Sequence, residues 1–227
     1  YFGLLLVLGV GIGLLGAGFN RGLLLSGSLY ETQTRVVGMW KGFVPLVLAG
    51  ALALTLPEVL GGGNALVNEL SDAHFDLSYL WVLLLVKFLF TLLCYASGVP
   101  GGIFLPMLVI GALGGAVFSY GFVQFGVMDS FYSMNIIVFA MAACFAAVVK
   151  SPVTGSILIM EMSGAFHHML PLVLVSMAAY LTADLLRVQP IYEVLLERSL
   201  RKQGRAVGTV RAGKRSIVEV AVGINSA

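Results

Sequence analysis

The stretch SGVPGGIFLP, residues 97–106, ends one long apolar segment and begins the next. Its paired glycines permit a tight turn and a close approach to the backbone. Pro106 would fall in the first turn of the following helix, where its missing N–H costs no hydrogen bond. The stretch therefore predicts a helix that begins within the apolar part of the protein and covers residues 103–125.

The start of this helix is a candidate anion-binding site. The amides of Ile103 and Phe104 would lack acceptors within the helix and would lie at the positive end of its dipole. The stretch contains no lysine or arginine. Such a side chain would hold an anion too firmly, because conduction requires binding that is also weak enough for release.

Energies limit what one helix end can do. Moving a bare anion into a low-dielectric medium costs on the order of tens of kcal/mol. A helix end returns about 0.3–2 kcal/mol, and a charge-assisted hydrogen bond returns about 1.5–3 kcal/mol. Several donors from different segments must therefore converge, with water in the approaches. The Tyr192 hydroxyl is a candidate because it adds no charge, although local chemistry alone favours a tyrosine at a membrane interface.

The composition indicates the class of protein. Of the 227 residues, 59% are hydrophobic and 11% are charged, whereas about a quarter of a soluble domain is charged. Such a chain cannot cover a water-facing surface. This argues against a soluble enzyme and excludes a disordered chain, a disulfide-framed module and a nucleic-acid binder. The sequence predicts an all-α protein with several helices in a lipid bilayer.

The predicted apolar segments are uneven in length. A spanning helix needs about 20 residues, but the segments 42–56, 134–149 and 153–163 are shorter. Short, interrupted segments mark binding sites in transporters, while kinked helices without a ligand would give the same pattern. The remaining segments are 1–19, a more polar interfacial stretch at 20–41, 78–96, 103–125, 169–186 and an amphipathic stretch at 191–203.

Basic residues are concentrated near the C-terminus. Eight of the 13 lysines and arginines follow residue 186, so the positive-inside rule places the C-terminus in the cytoplasm. We expect residues 1–203 to form the membrane domain and residues 204–227 a cytosolic tail. Within the tail, residues 216–222 alternate like a half-buried strand, which fits either the start of an appended regulatory domain or a frayed end.

Three motifs together resemble one family. GGIFLP at 101–106 resembles the glycine–x–phenylalanine–x–proline anion motif of the CLC chloride channel and proton–chloride exchanger family. KSPVTG at 150–155, followed by ILIMEM at 157–162, is similar to the family's later pair of segments. PIY at 190–192 is similar to the segment that supplies its anion-coordinating tyrosine. The resemblance covers about residues 1–203 and only the second half of the family's membrane domain, which consists of two inverted halves of tilted, interrupted helices.

The resemblance implies a chloride site in this half. Gly102, Ile103, Phe104 and Tyr192 would bind the anion, with the amides of Ile103 and Phe104 and the tyrosine hydroxyl as donors. Chloride is then the substrate, and no cofactor, metal or catalytic residue is implied. The family also has an anion-coordinating serine in its first half. Ser97 is not assigned to that role, because it belongs to the segment just before the GGIFLP motif. The family's first-half motifs Gly-Ser-Gly-Ile-Pro and Gly-Arg-Glu-Gly-Pro do not occur, so an N-terminal half of the same protein is an expected partner.

The implied activity is proton-coupled chloride exchange by a homodimer in a prokaryotic plasma membrane. Residues 1–19 and 169–186 are the candidate dimer faces. Two other interpretations stay open: a passive chloride channel of the same family, and a non-conducting structural or regulatory fragment. An intramembrane protease is disfavoured, because no nucleophile–base pair and no HExxH pattern occurs.

Polar residues within apolar segments have ordinary interpretations. Glu161 would pair with a backbone amide or with the other half of the protein, since buried charges are usually paired. Lys87 would pair in the same way or extend to the interface. His167 and His168 would point about 100° apart on a helix, which makes them poor joint metal ligands.

Overall fold

The computed structural model describes residues 2–32, 42–61, 63, 66–67, 69–70, 75–97, 102–164 and 168–202. Within these ranges the chain is helical and contains no β-strand, which confirms the predicted all-α class. The helices are α1 Phe2–Thr32, α2 Phe43–Thr55, α3 Leu77–Ala96, α4 Phe104–Gln124, α5 Ser133–Val149, α6 Pro152–Ser163, α7 Met169–Leu185 and α8 Ile191–Lys202. Short 3-10 turns, Pro57–Val59 and Ser130–Tyr132, follow α2 and precede α5.

Several helices have the length and composition of membrane spans. In the described part of the chain, four stretches are long and apolar enough to cross a bilayer: Phe2–Gly27, Leu77–Ala96, Phe104–Gln124 and Ser130–Val149. Helices α2 and α7 are apolar but shorter. The uneven lengths predicted from the sequence are therefore present in the fold.

The chain divides into two compact units, Tyr1–Val188 and Gln189–Ala227. Helices α1 to α7 belong to the first unit, and α8 is the helix described in the second. The predicted tail, residues 204–227, and its candidate strand at 216–222 lie outside the described residues. The expected domain boundary at residue 203 stays a prediction.

Helix α1 extends beyond its uniformly apolar part. The sequence pattern places an interfacial stretch from residue 20, but the helix continues through Arg21 and ends at Thr32. The Arg21 charge is accommodated because its Nη2 donates to the Leu186 carbonyl at 2.7 Å, just after the end of α7. This acceptor lies 165 residues along the chain, so no local pattern could have revealed it.

Helix α5 forms the centre of the first unit. It packs against α1, α4, α6 and α7, and its residues from 139 to 148 are buried. Small side chains make up most of this surface: Ala140, Ala142, Ala143, Cys144, Ala146 and Ala147. Small side chains let helices approach closely in a membrane, where packing rather than exclusion of water drives their association.

Glycines place α4 directly on α5. A Cβ atom at Gly111 would lie 2.7 Å from the Cys144 Cβ, and one at Gly115 would lie 2.6 Å from the Ala140 Cβ. Carbon atoms in a packed interior do not approach this closely, so an alanine at either position would push the two helices apart. The position of α4 in the bundle is therefore closely constrained.

Glycines of α1 face α7 in the same way. A Cβ atom at Gly9 would lie 2.6 Å from the Ala178 Cβ, and one at Gly13 would lie 2.8 Å from the Thr182 Cβ. The glycine-containing face of α1 therefore packs tightly against another helix of the same chain. The predicted dimer contact of residues 1–19 would then use the other face of α1, where Val7 and Leu14 are exposed.

Lys87 is a buried charge in α3. Its side chain is 2% exposed, and its Nζ donates to the Val59 carbonyl at 2.7 Å and to the Gly61 carbonyl at 3.0 Å. It therefore pairs with main-chain oxygens rather than extending to an interface. The Tyr79 hydroxyl donates to a Glu58 carboxylate oxygen at 2.7 Å, so α3 holds the connection after α2 at two points.

Candidate anion-binding site

Helix α4 begins where the sequence predicts. Ile103 is its N-cap residue, with φ −88° and ψ −19°, and Phe104 is the first helical residue. The first main-chain hydrogen bond runs from the Met107 amide to the Ile103 carbonyl at 3.1 Å. The amides of residues 103 to 105 precede this bond and have no acceptor within the helix, and Pro106 has no N–H. No described side chain caps this helix start, so main-chain donors remain available there.

The two residues before the helix differ in exposure. Gly102 is exposed, and a Cβ atom built on it would have no described heavy atom within 4 Å. Ile103 is 7% exposed and anchors the helix start to the core. The helix start is therefore anchored at Ile103, while the space beside Gly102 is open among the described residues.

The basic side chains closest to this stretch in the sequence bind other groups. Lys87 donates to main-chain carbonyls within the segment 59–61. The Lys150 Nζ pairs with an Asp184 carboxylate oxygen at 2.9 Å and lies 5.1 Å from the centre of the Tyr180 ring. For an anion at the start of α4, the helix dipole would contribute about 0.3–2 kcal/mol.

An aromatic pair holds the side chain of the first helical residue. The Phe104 and Phe145 rings are 6.0 Å apart between centres and inclined by 80°, which is a favoured edge-to-face geometry. The Phe145 ring also lies against α6, because a Cβ atom at Gly155 would be 2.6 Å from the ring's Cδ1. The KSPVTG motif at 150–155 points to this region through the family resemblance. The sequence near Phe145 and Gly155 contains no indication that these two residues contact each other.

The connection between α2 and α3 packs on α4. Gly63 has φ +80°, a region that residues with a side chain rarely adopt. A Cβ atom at Gly63 would lie 2.5 Å from the Val109 Cγ2. Because Lys87 holds the same connection to α3, the first turns of α4 are supported on this side as well as by α5.

Tyr192 belongs to the second unit. It is the second residue of α8, which begins after Pro190 as the sequence predicts. Its side chain is 47% exposed, and partial burial raises the pKa of its hydroxyl above the ordinary value of about 10. The hydroxyl is therefore a neutral donor at physiological pH. The predicted residues 102–104 come together at the start of α4, whereas a joint site that includes Tyr192 stays a prediction.

Ser97 and Glu161, two polar residues next to or within apolar segments, lie in different surroundings. The Ser97 side chain is buried, and its Oγ donates to the Cys94 carbonyl at 2.6 Å, which is consistent with its exclusion from the site. Glu161 is exposed on α6. The described residues form no ion pair with it, and its pairing with the other half of the protein stays a prediction.

Of the two adjacent histidines, the structure describes His168. The His168 ring packs edge-on against Phe139 with 5.8 Å between centres, while His167 lies outside the described residues. No group of three or more histidine, cysteine, aspartate or glutamate side chains that could hold a metal occurs in the described part of the chain.

Comparison with known proteins assigns the chain to a class. The family model described as voltage gated chloride channel matches residues 1–184. The chain therefore belongs to this family, the CLC family.

Two curated relatives are bacterial exchangers. The H+/Cl− exchange transporter ClcA of Vibrio cholerae serotype O1, strain O395, is 35% identical over 208 residues, which cover 88% of this chain and 44% of the relative. ClcA of Yersinia pestis bv. Antiqua, strain Angola, is 33% identical over 222 residues, which cover 92% of this chain and 44% of the relative. The chain thus spans less than half the length of these relatives.

Solved structures share the fold. The crystal structure of a slow cyanobacterial Cl−/H+ antiporter matches with a TM-score of 0.84 and 33% identity, over 90% of this chain and 48% of that one. A eukaryotic CLC transporter matches with a TM-score of 0.66 and 24% identity, over 86% of this chain and 34% of that one. These matches confirm the predicted CLC-type fold.

Proposed function

We propose that this chain is the second half of a membrane protein that exchanges chloride for protons. The family match over residues 1–184 supports the proposal, as do the relatives whose names describe H+/Cl− exchange. The observation that carries it is the start of α4, where main-chain amides have no acceptor within the helix and no described side chain caps them.

The anion is held by neutral donors. The amides of Ile103 and Phe104 donate to chloride, and the Tyr192 hydroxyl supplies a third hydrogen bond. Three charge-assisted bonds return roughly 5–9 kcal/mol, well below the tens of kcal/mol that full dehydration costs. Chloride therefore keeps part of its hydration and binds reversibly, as transport requires. Gly102, with open space beside it, lets the ion approach the amides.

A first half completes the protein, either in the same polypeptide or as a separate chain. The relatives are more than twice as long as the part matched here, and this chain lacks the motif Gly-Arg-Glu-Gly-Pro that carries the family's gating glutamate. We assign proton transfer and gating to that half. The protein needs no cofactor in this scheme and is not an enzyme.

The complete protein assembles as a homodimer in a prokaryotic plasma membrane, with one pathway in each subunit. Apolar side chains exposed on α1 and α7, such as Val7 and Leu181, are available for the contact with the second copy or with lipid. Bacterial relatives support the location. The basic residues after residue 186 support a cytoplasmic C-terminus.

Chloride flux in liposomes tests the proposal. The complete protein is reconstituted under a chloride gradient, and the 227-residue chain alone is the matched control. The complete protein is expected to release chloride and to drive protons in the opposite direction, whereas the chain alone conducts nothing. A complete protein that moves no chloride at any pH or voltage would refute the proposal.

A passive chloride channel is the second candidate, and the description of the matching family as voltage gated chloride channel favours it. The same liposomes separate the two activities, because a channel releases chloride without moving protons. If this chain instead has only a structural or regulatory role, substitutions at the start of α4 should leave the chloride flux of the complete protein unchanged.

A further inference from the structure

The structure contains a line of contacts that ends at the anion-binding helix start. We infer that Phe145 is a positioning residue for the amides of Ile103 and Phe104, and that Gly155 determines where the Phe145 ring lies. The inference rests on the proposed function, since it concerns the geometry of the proposed chloride site. Neither residue touches the anion in this account.

The first contact joins α5 to the start of α4. Phe145 is 6% exposed, and its ring lies edge-to-face with the Phe104 ring at 6.0 Å and 80°. Phe104 is the first helical residue, and its own amide is one of the proposed donors. Because an edge-to-face pair has a preferred geometry, the Phe145 ring restrains both the side chain and the main chain of Phe104.

The second contact joins α6 to the same ring. A Cβ atom at Gly155 would lie 2.6 Å from the Phe145 Cδ1, 3.4 Å from its Cγ and 3.5 Å from the Ala142 carbonyl oxygen. The first distance is too short for a real contact, so the backbone of α6 can lie here only because residue 155 has no side chain. Any larger residue has to displace the ring, and a displaced ring changes its contact with Phe104.

The surrounding helices leave little room for another adjustment. Helix α6 is fixed to α7 by the buried Ser156 Oγ, which lies 3.1 Å from the Ser176 Oγ and 2.8 Å from the Pro152 carbonyl oxygen. On its other side, α5 is in direct contact with α4 through Gly111 and Gly115. A Cβ atom added at residue 155 should therefore displace the Phe145 ring rather than move α5 or α6 as a whole.

Chloride titration of the complete protein tests this inference. The dissociation constant is measured by calorimetry, and the melting temperature is measured in parallel, for Gly155→Ala, Phe145→Leu and the double variant. Gly121→Ala is the matched control, because its Cβ atom would meet no described atom within 4 Å although it lies on α4 itself. Phe145→Leu keeps an apolar side chain of similar size and is expected to fold.

Each single variant is expected to raise the chloride dissociation constant about two- to tenfold, the range that corresponds to the loss of an edge-to-face aromatic contact. The effect of the double variant should be smaller than the two single effects combined, because both substitutions act on the same contact between residue 145 and Phe104. Gly121→Ala should bind chloride like the wild type.

The possible results distinguish a failure of the proposed function from a failure of the inference about Phe145 and Gly155. A wild-type protein that binds no chloride would overturn the proposed function together with this inference. If the wild type binds chloride and both single variants have the wild-type dissociation constant, the inference about Phe145 and Gly155 is overturned, while the proposed function stands. Variants that lose melting temperature but keep the wild-type dissociation constant would show a purely structural role and would also overturn it.

Discussion

Replacing Lys87 with methionine tests the energetics of the buried charge in α3. The Lys87 Nζ lies 2.7 Å from the Val59 carbonyl oxygen and 3.0 Å from that of Gly61, with 2% of the side chain exposed. Two charge-assisted hydrogen bonds are worth about 3–6 kcal/mol before the cost of burying the ammonium is subtracted. We expect Lys87→Met to lower the free energy of unfolding by about 2–4 kcal/mol, because two carbonyls lose their donor.

Lys150→Met is the matched control for this prediction. Lys150 also donates at 2.9 Å, and its own side chain is 8% exposed, but its partner Asp184 is 64% exposed. Because water reaches the Asp184 carboxylate, screening lowers the contribution of this pair towards the roughly 0–1 kcal/mol of exposed ion pairs. Unfolding of the complete protein in mixed detergent micelles, followed by circular dichroism, gives both values. A loss for Lys87→Met no larger than that for Lys150→Met would refute the reasoning.

The remaining predictions concern the site and its support. Tyr192→Phe should raise the chloride dissociation constant about tenfold or more by calorimetry, whereas Tyr132→Phe, at another partly exposed tyrosine, should not; equal effects would exclude a specific hydroxyl. Since burial raises the pKa of Tyr192, its hydroxyl stays protonated, and the difference between wild type and Tyr192→Phe should be constant between about pH 7 and 9. Phe104→Leu loses the same ring contact as Phe145→Leu and should weaken chloride binding to a similar extent. Gly102→Val should impair chloride uptake more, because its side chain fills the open space beside the amides, and should keep the melting temperature, since a Cβ atom there meets no described neighbour; the reverse order would contradict amide binding. Gly13→Ala should cost about 1–3 kcal/mol in unfolding free energy, and an unchanged value would contradict the close contact of α1 with α7.

Local chemistry was sufficient to predict the helix start at Phe104. Glycines break a helix, a proline is tolerated in the first turn of the next one, and both signals lie within ten residues of each other. The same kind of signal placed the starts of α6 and α8 next to Pro152 and Pro190. These features depend on neighbouring residues, so one sequence is enough to predict them.

Contacts between distant residues could not be predicted in this way. The acceptors of Arg21 and Lys87 are main-chain carbonyls in other segments, and carbonyls occur at every position in the sequence. The contact of Phe145 with Gly155 likewise depends on how α5 and α6 pack. A tyrosine near a helix start was predicted, but its convergence with the amides depends on the relation between two units and stays a prediction.

The central claim is that uncharged main-chain donors at the start of α4 bind chloride. Crystals of the complete protein soaked in bromide give the most direct test, because the anomalous signal of bromide locates the ion. We expect an anomalous peak within hydrogen-bonding distance of the Ile103 and Phe104 amides. Bromide transport by the same protein, with no peak beside residues 102–104, would contradict it.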